Sequence, residues 1–277
     1  MARMGALGER YFDTVCYLEN TKQSTNTLKL LDENTTAERV GVELLAEFLG
    51  TMLFAIFGGA TASAVGGALG NGMALTVLIF VCASTSGGKL NPAVTLSFIL
   101  TGTMPMLHGF LEMGFQISGA AAGAAVVKAL VVDPKIQCFL PPASILVGDP
   151  ERAVSVTGFM VFGWELLITV LLILTVYVTA VESAGANKFS STAPIAIGLS
   201  LFAGAAAAGQ YTGGCANPAR YLGPIMAGGC GHIGTYFVPY LLAHVGAALT
   251  GAFFYNIRHM FGQHNCRPKK EAESSLA

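Results

Sequence analysis

Charge is scarce in this sequence. Only 11% of its 277 residues are Asp, Glu, Lys or Arg, against about 25% in soluble domains. So few charges cannot clothe a water-facing surface. With 53% hydrophobic residues and a mean hydropathy of +0.61, the chain reads as a membrane protein. The net charge is −1, which argues against nucleic acid as a partner. The six cysteines form no CxxC pair, which argues against a zinc site or a disulfide scaffold. His108, His232, His244, His259 and His264 are dispersed, and no Ser/His/Asp, Cys/His or metal-ligand arrangement stands out. No catalytic residue, metal or cofactor is therefore expected. Residues 1–38 lack a sustained apolar run, so no cleavable signal peptide is expected there.

Glycine is abundant, at 34 residues, but follows no three-residue period, which excludes a collagen-like fold. Gly and Ala clusters within apolar runs suit helices that pack closely in lipid. Six such runs are long enough to matter, at about 40–65, 73–84, 107–132, 156–181, 193–208 and 236–257. Gly114, Gly119 and Gly123 offer small packing positions in the third. A polar tail at 1–38 precedes a domain at 39–257, and a second tail covers 258–277. A polar loop at 133–154 divides the domain into halves of about 40–132 and 155–257, and a connector at 182–191 carries Lys188. An even number of spans puts both termini on one side. The tails carry Arg3, Arg10, Lys22, Lys29, Arg39, Arg258, Arg267, Lys269 and Lys270, while the first loop, about 66–72, has no Lys or Arg. The positive-inside bias then places both termini in the cytoplasm, in the plasma membrane or an internal one.

One motif is written twice. Ser86-Gly87-Gly88-Lys89-Leu90 leads into Asn91-Pro92-Ala93, and Thr212-Gly213-Gly214-Cys215-Ala216 leads into Asn217-Pro218-Ala219. The helical stretches that follow, 94–100 and 217–227, are too short for a core that needs about 20 residues. They must be re-entrant half-helices. A single Asn-Pro-Ala reads as an ordinary helix start, with Asn as N-cap and Pro in the first turn. Two copies, each behind a glycine break, call for more. Two half-helix N-termini facing each other would make a positive centre, each worth about half a charge. Such a centre disfavours cations and protons and admits neutral polar molecules. Ala93 and Ala219 are small enough to let the two helices touch.

Glu47 and Glu165 each lie four residues before a threonine, Thr51 and Thr169, at the opening of each half. A carboxylate at membrane depth faces the protein interior, where it can accept hydrogen bonds from buried loop N–H groups. Each half has three spans, so the second enters from the opposite side. The fold class is an all-α membrane protein with six transmembrane helices, two half-helices and an inverted repeat, its site at the midplane. The repeat breaks at one place, where Val94 corresponds to Arg220. A buried Arg costs at least about 3 kcal/mol, which points to a function.

Over about 40–257 these features resemble the aquaporin, or major intrinsic protein, family. The resemblance rests on Asn91-Pro92-Ala93, Asn217-Pro218-Ala219-Arg220, Glu47 with Thr51, and Glu165 with Thr169. It implies a homotetramer in the lipid bilayer with one pore per subunit, passing water or small neutral solutes. Family members build an outer constriction from four positions. Ungapped counting from each triplet puts them at Asn71, Ala205, Gly214 and Arg220. Water-selective members usually carry an aromatic at the first and His at the second. This chain has neither, so a wider mouth is expected, passing glycerol, urea, metalloid acids or hydrogen peroxide with water. The alternatives are a strictly water-selective channel and an ion-coupled transporter. Lys89 stands where relatives often carry His and reads as a solvated charge at the pore entrance. Cys138 and Cys230 both fall on the expected outer side, which leaves a disulfide between them open beside incidental thiols.

Overall fold

Among the described residues, six helices are long and apolar enough to cross a membrane. In chain order the elements are α1 (Ala37–Gly59), α2 (Ala64–Ser86), α3 (Pro92–Leu100), α4 (Met106–Leu130), β1 (Ser144–Val147), β2 (Asp149–Ser155), α5 (Gly158–Val176), α6 (Ala193–Thr212), α7 (Pro218–Met226) and α8 (Phe237–His264). This computed structural model describes residues 36–264 except 61–63, 132–137, 140, 143, 148, 182–189, 229 and 231–235. The tails before 36 and after 264, and Lys188, lie outside the described residues. The half-helices α3 and α7 have nine residues each, about 14 Å of rise, half of what the hydrocarbon core requires.

The helices pack as two interlocked triplets. α1 packs on α4 and α2, α5 packs on α8 and α6, and α2 packs on α6 across the halves. The half-helices are exchanged. α3 of the first half packs on α8 of the second, and α7 of the second packs on α4 of the first. Glycine makes the close approaches. A Cβ on Gly72 of α2 would lie 2.6 Å from the carbonyl of Gly198 on α6. Cβ atoms on Gly119 and Gly123 would strike the carbonyls of Phe48 and Met52 on α1. Gly114 has no such neighbour, so only two of the three expected packing glycines on α4 serve this contact.

Two features differ from the sequence expectation. The second span starts at Ala64, so the first loop is not at 66–72 and Asn71 lies inside α2. The Gly66–Gly70 run falls within the loop expected there, but in lipid a helix keeps its backbone groups satisfied, and the chain is helical through it. The polar loop between the halves contains a two-stranded antiparallel ribbon, β1 paired with β2, with an irregularity after Leu146.

Candidate functional site

The two half-helices start identically. Asn91 caps α3 at φ −157°, ψ 114°, and its Oδ1 accepts from the N–H of Ala93 at 2.9 Å. Asn217 caps α7 at φ −157°, ψ 113°, and its Oδ1 accepts from the N–H groups of Ala219 at 2.9 Å and Arg220 at 3.4 Å. Each cap also reaches across. Asn91 Nδ2 donates to the Ala216 carbonyl at 2.8 Å, and Asn217 Nδ2 donates to the Leu90 carbonyl at 2.8 Å. To present those carbonyls, Leu90 and Ala216 adopt φ +48° and +51°. This left-handed backbone costs about 1–3 kcal/mol per residue, and the cross-bonds hold it. An amide nitrogen carries two hydrogens, so each asparagine keeps one for a molecule in the adjoining cavity, which both border.

Two buried carboxylates fix the turns that lead into these caps. Glu47 Oε1 accepts from Ser86 Oγ at 2.7 Å and Lys89 N at 3.0 Å, and its Oε2 accepts from Leu90 N at 2.7 Å and Gln116 Nε2 at 2.8 Å. Glu165 repeats the pattern. Its Oε1 accepts from Thr212 Oγ1 at 2.5 Å and Cys215 N at 3.0 Å, its Oε2 accepts from Ala216 N at 2.9 Å, and His244 Nε2 lies 3.4 Å from Oε2. Gln116 on α4 and His244 on α8, which sequence reasoning missed, stand at the two carboxylates, Gln116 as a hydrogen-bond donor and His244 in close contact, with neither ring nitrogen in a hydrogen bond. The available signal was a polar residue in the closing helix of each half. Glu165, Cys215 and His244 bring ligand-type atoms within 4.8 Å of one another. The Cys215 thiol donates to the Asn217 carbonyl at 3.1 Å, and the carboxylate accepts three hydrogen bonds. The donor set fits a hydrogen-bonded brace.

Lys89 is not solvated. Its side chain is 6% exposed, and Nζ lies 3.1 Å from Glu112 Oε2 and 3.9 Å from Glu47 Oε1, and donates to the Ser86 carbonyl at 2.6 Å. Glu112 Oε1 accepts from Thr95 Oγ1 at 2.7 Å and Gln116 Nε2 at 3.1 Å. The ammonium thereby ties the first turn to α4. Removing one partner of a buried pair costs about 3–5 kcal/mol, because the other charge stays buried. Lys89→Met is therefore expected to lower the thermal midpoint of the detergent-purified protein. The pair Lys89→Met with Glu112→Gln should recover most of the loss. An unchanged midpoint in the single variant would show that the pair carries no such load.

On one side of the paired asparagines lies a cavity of about 340 Å³. Leu75, Ile79, Leu172, Ile197 and Leu201 form apolar walls, and Lys89, Asn91 and Asn217 also line it. The four positions expected at the outer constriction fall into two contacting pairs. Arg220, 3% exposed, donates through Nη2 to Asn71 Oδ1 at 2.6 Å and through Nη1 to the Phe54 carbonyl. Asn71 Nδ2 donates in turn to the carbonyls of Gly58 at 3.2 Å and Gly67 at 2.8 Å. Ala205 and Gly214 form the second pair. Gly214 has φ +67°, and a Cβ there would lie 2.7 Å from Ala205 Cα. Two aromatic rings that sequence reasoning missed flank the guanidinium. Its carbon lies 4.5 Å from the Phe54 ring centroid and 5.3 Å from that of Phe139. Cys138 and Cys230 are joined by a disulfide, with Cα atoms 5.7 Å apart.

Comparison with known proteins agrees with this geometry. Residues 35–255 match the family model for the major intrinsic proteins. Aquaporin A of Dictyostelium discoideum is 33% identical over 222 residues, covering 76% of each chain. Aquaporin TIP2-1 of Arabidopsis thaliana is 32% identical over 228 residues, covering 77% of this chain and 86% of its own. The solved aquaglyceroporin from Plasmodium falciparum shares the fold, with a TM-score of 0.66 at 23% identity over 80% of this chain and 98% of that one.

Proposed function

The chain belongs to the major intrinsic protein family, whose members are membrane channels and not enzymes, and on that premise we propose that it conducts water together with small uncharged solutes. Glycerol, urea, metalloid acids and hydrogen peroxide are the solute classes in view. The observation that carries this reading is the pairing of Ala205 with Gly214, where the backbones meet and neither residue projects bulk. Opposite in character, Asn71 and Arg220 supply a polar edge that suits hydroxyl and amide groups. The Arg220 charge and the two half-helix N-termini act together against cations and protons. Glu47 and Glu165 are committed to loop N–H groups, which argues against their acting as a relay for ion coupling. Strict water selectivity is the second reading. It is favoured by the Phe54 and Phe139 rings beside the guanidinium, which narrow the same region.

In this reading the channel domain spans 39–257, with repeats of about 40–132 and 155–257 between cytoplasmic tails. Outward apolar side chains such as Phe57, Phe80 and Phe159 suit lipid and the neighbouring subunits of a homotetramer, in the plasma membrane or an internal membrane. Stopped-flow light scattering on proteoliposomes tests the solute reading. The wild-type protein should pass glycerol or urea faster than empty vesicles, and Asn71→Phe with Ala205→His should cut that flux while water still passes. Solute flux equal to that of empty vesicles would reject the wide mouth. Unchanged solute flux in the double variant would show that these positions do not line it.

A further inference from the structure

We propose that His108 is a pH sensor on the side of the membrane where α1 and α4 begin, and that its charge reaches the conducting path by driving the Lys89 ammonium into the cavity. This rests on the reading that the cavity conducts, and not on which solutes pass. Where α1 packs on α4, ionisable side chains face each other in two layers, one helical turn apart. In the layer nearer the helix starts, Glu43 Oε1 accepts from Arg39 Nε at 2.9 Å, and Glu43 Oε2 lies 3.5 Å from His108 Nε2. One turn deeper stand Glu47 and Glu112, with Lys89 Nζ 3.9 Å from Glu47 Oε1 and 3.1 Å from Glu112 Oε2. His108 Nε2 is buried and makes no hydrogen bond, although a carboxylate oxygen stands in front of it. An unpaired buried polar atom is costly. Protonation makes both ring nitrogens donors and gives the ring a carboxylate partner at Glu43.

The groups that face the ring are Glu43 and Glu47 on α1, with Arg39 behind Glu43, Lys89 in the first turn, and Glu112 on its own helix. α3, which also packs on α4, has no titratable side chain. α7 meets α4 at Gly223 against Ala120, about three turns deeper, and there it carries Tyr221 and Arg220, the latter bonded to Asn71. The connection to the path is Glu112. Its Oε1 accepts from Thr95 Oγ1 and Gln116 Nε2, so the Lys89 ammonium is held at Oε2. His108 lies four residues before Glu112, a neighbour on the same helix face. A charged ring there attracts the Glu112 carboxylate and repels the ammonium. Lys89 has room to leave. Its side chain and Gly87 both line the cavity beside the paired asparagines. Gly87 is at φ +89°, and a Cβ on it would lie 3.2 Å from Nζ. With His108 neutral, Lys89 stays on Glu112 and the cavity is open. With His108 charged, the ammonium and its hydration stand in the cavity that water must cross. The step adds one proton to the imidazole and breaks no covalent bond.

The test uses the full chain in proteoliposomes, with the same buffer inside and outside, and reads water flux across the window from about pH 8 to about pH 5 in which an imidazole changes charge. Wild-type flux is expected to fall by about twofold or more across that window and to recover when the high pH is restored, which separates gating from acid unfolding. The ratio of the two fluxes is internal to each preparation, so it does not depend on how much of a variant folds. His108→Gln removes the titration and should bring the ratio close to one, with the cavity open at both ends of the window. His108→Arg fixes the charge and should also give a ratio close to one, with flux held at the low value. Lys89→Met with Glu112→Gln leaves His108 to titrate with no ammonium to move, and its ratio should again be close to one. A flat wild-type profile would overturn the sensor, as would a His108→Gln ratio equal to that of the wild type, which would place the titrating group elsewhere. If His108→Gln is flat but the Lys89 and Glu112 double variant keeps the wild-type ratio, the displacement of Lys89 is overturned. Wild-type flux at the high pH no greater than that of empty vesicles would overturn the channel reading and the sensor with it.

Discussion

Glu47→Gln is expected to unlatch the first Asn-Pro-Ala turn and remove most channel activity, although it alters a single atom type in a fully buried side chain. The carboxylate accepts four hydrogen bonds, two at each oxygen. An amide keeps one acceptor oxygen and turns an NH2 group toward the other two donors. Whichever way it is oriented, a backbone N–H of the turn, from Lys89 or Leu90, faces another donor. Each buried group left unsatisfied costs about 1–3 kcal/mol, so the turn loses about 2–6 kcal/mol, a large share of the roughly 5–15 kcal/mol that holds a typical protein together. The damage spreads, because Leu90 holds its left-handed backbone only while its carbonyl meets Asn217. Glu165→Gln should act in the same way on the second turn through Cys215 and Ala216. The measurement is the thermal midpoint of the purified protein beside its water flux in vesicles. A wild-type midpoint and flux in Glu47→Gln would show that the carboxylate is not the latch.

Arg220→Val is expected to open the channel to cations and leave water flux in place. The substitution makes the second motif match the first, where Val94 holds the equivalent position. It removes a buried positive charge. At about 4 Å in a medium of effective dielectric near 20, a unit charge is worth about 4 kcal/mol against a cation, roughly a thousandfold in exclusion. The two half-helix N-termini remain and retain part of the barrier, so the expected rise in potassium or proton leak is smaller, about tenfold to a hundredfold. Loss of the guanidinium also leaves Asn71 Oδ1 and the Phe54 carbonyl without this donor, so solute permeability should rise as well. Dye-loaded vesicles under a potassium or pH gradient read the leak. A leak no greater than that of the wild-type channel would place the charge barrier elsewhere.

The architecture was legible in the sequence because the chain repeats itself. Asn91 and Asn217, and Glu47 and Glu165, are recognisable in pairs, and the structure gives each pair matching partners. Asn71 lies inside a helix where the sequence suggests a loop, because a run of glycines that would break a helix in water can stay helical in lipid. Lys89 was misread for another reason. Its partner Glu112 is one carboxylate within an apolar span on a different helix, and nothing in local pattern links the two. Gln116 and His244 were missed because each lies far in sequence from its carboxylate, and only the fold brings them beside Glu47 and Glu165. Phe54 and Phe139 are ordinary apolar residues by sequence. Their place beside Arg220 comes from tertiary packing, which no local pattern reveals.

The most direct measurement follows water and protons in the same proteoliposomes, with osmotic shrinkage read by light scattering and internal pH by an enclosed dye. Two Asn-Pro-Ala turns meeting head to head, with Arg220 beside them, predict rapid shrinkage and a proton leak equal to that of empty vesicles. Shrinkage no faster than that of empty vesicles, or a proton leak that rises in step with water flux, would contradict a neutral-molecule path through the paired asparagines.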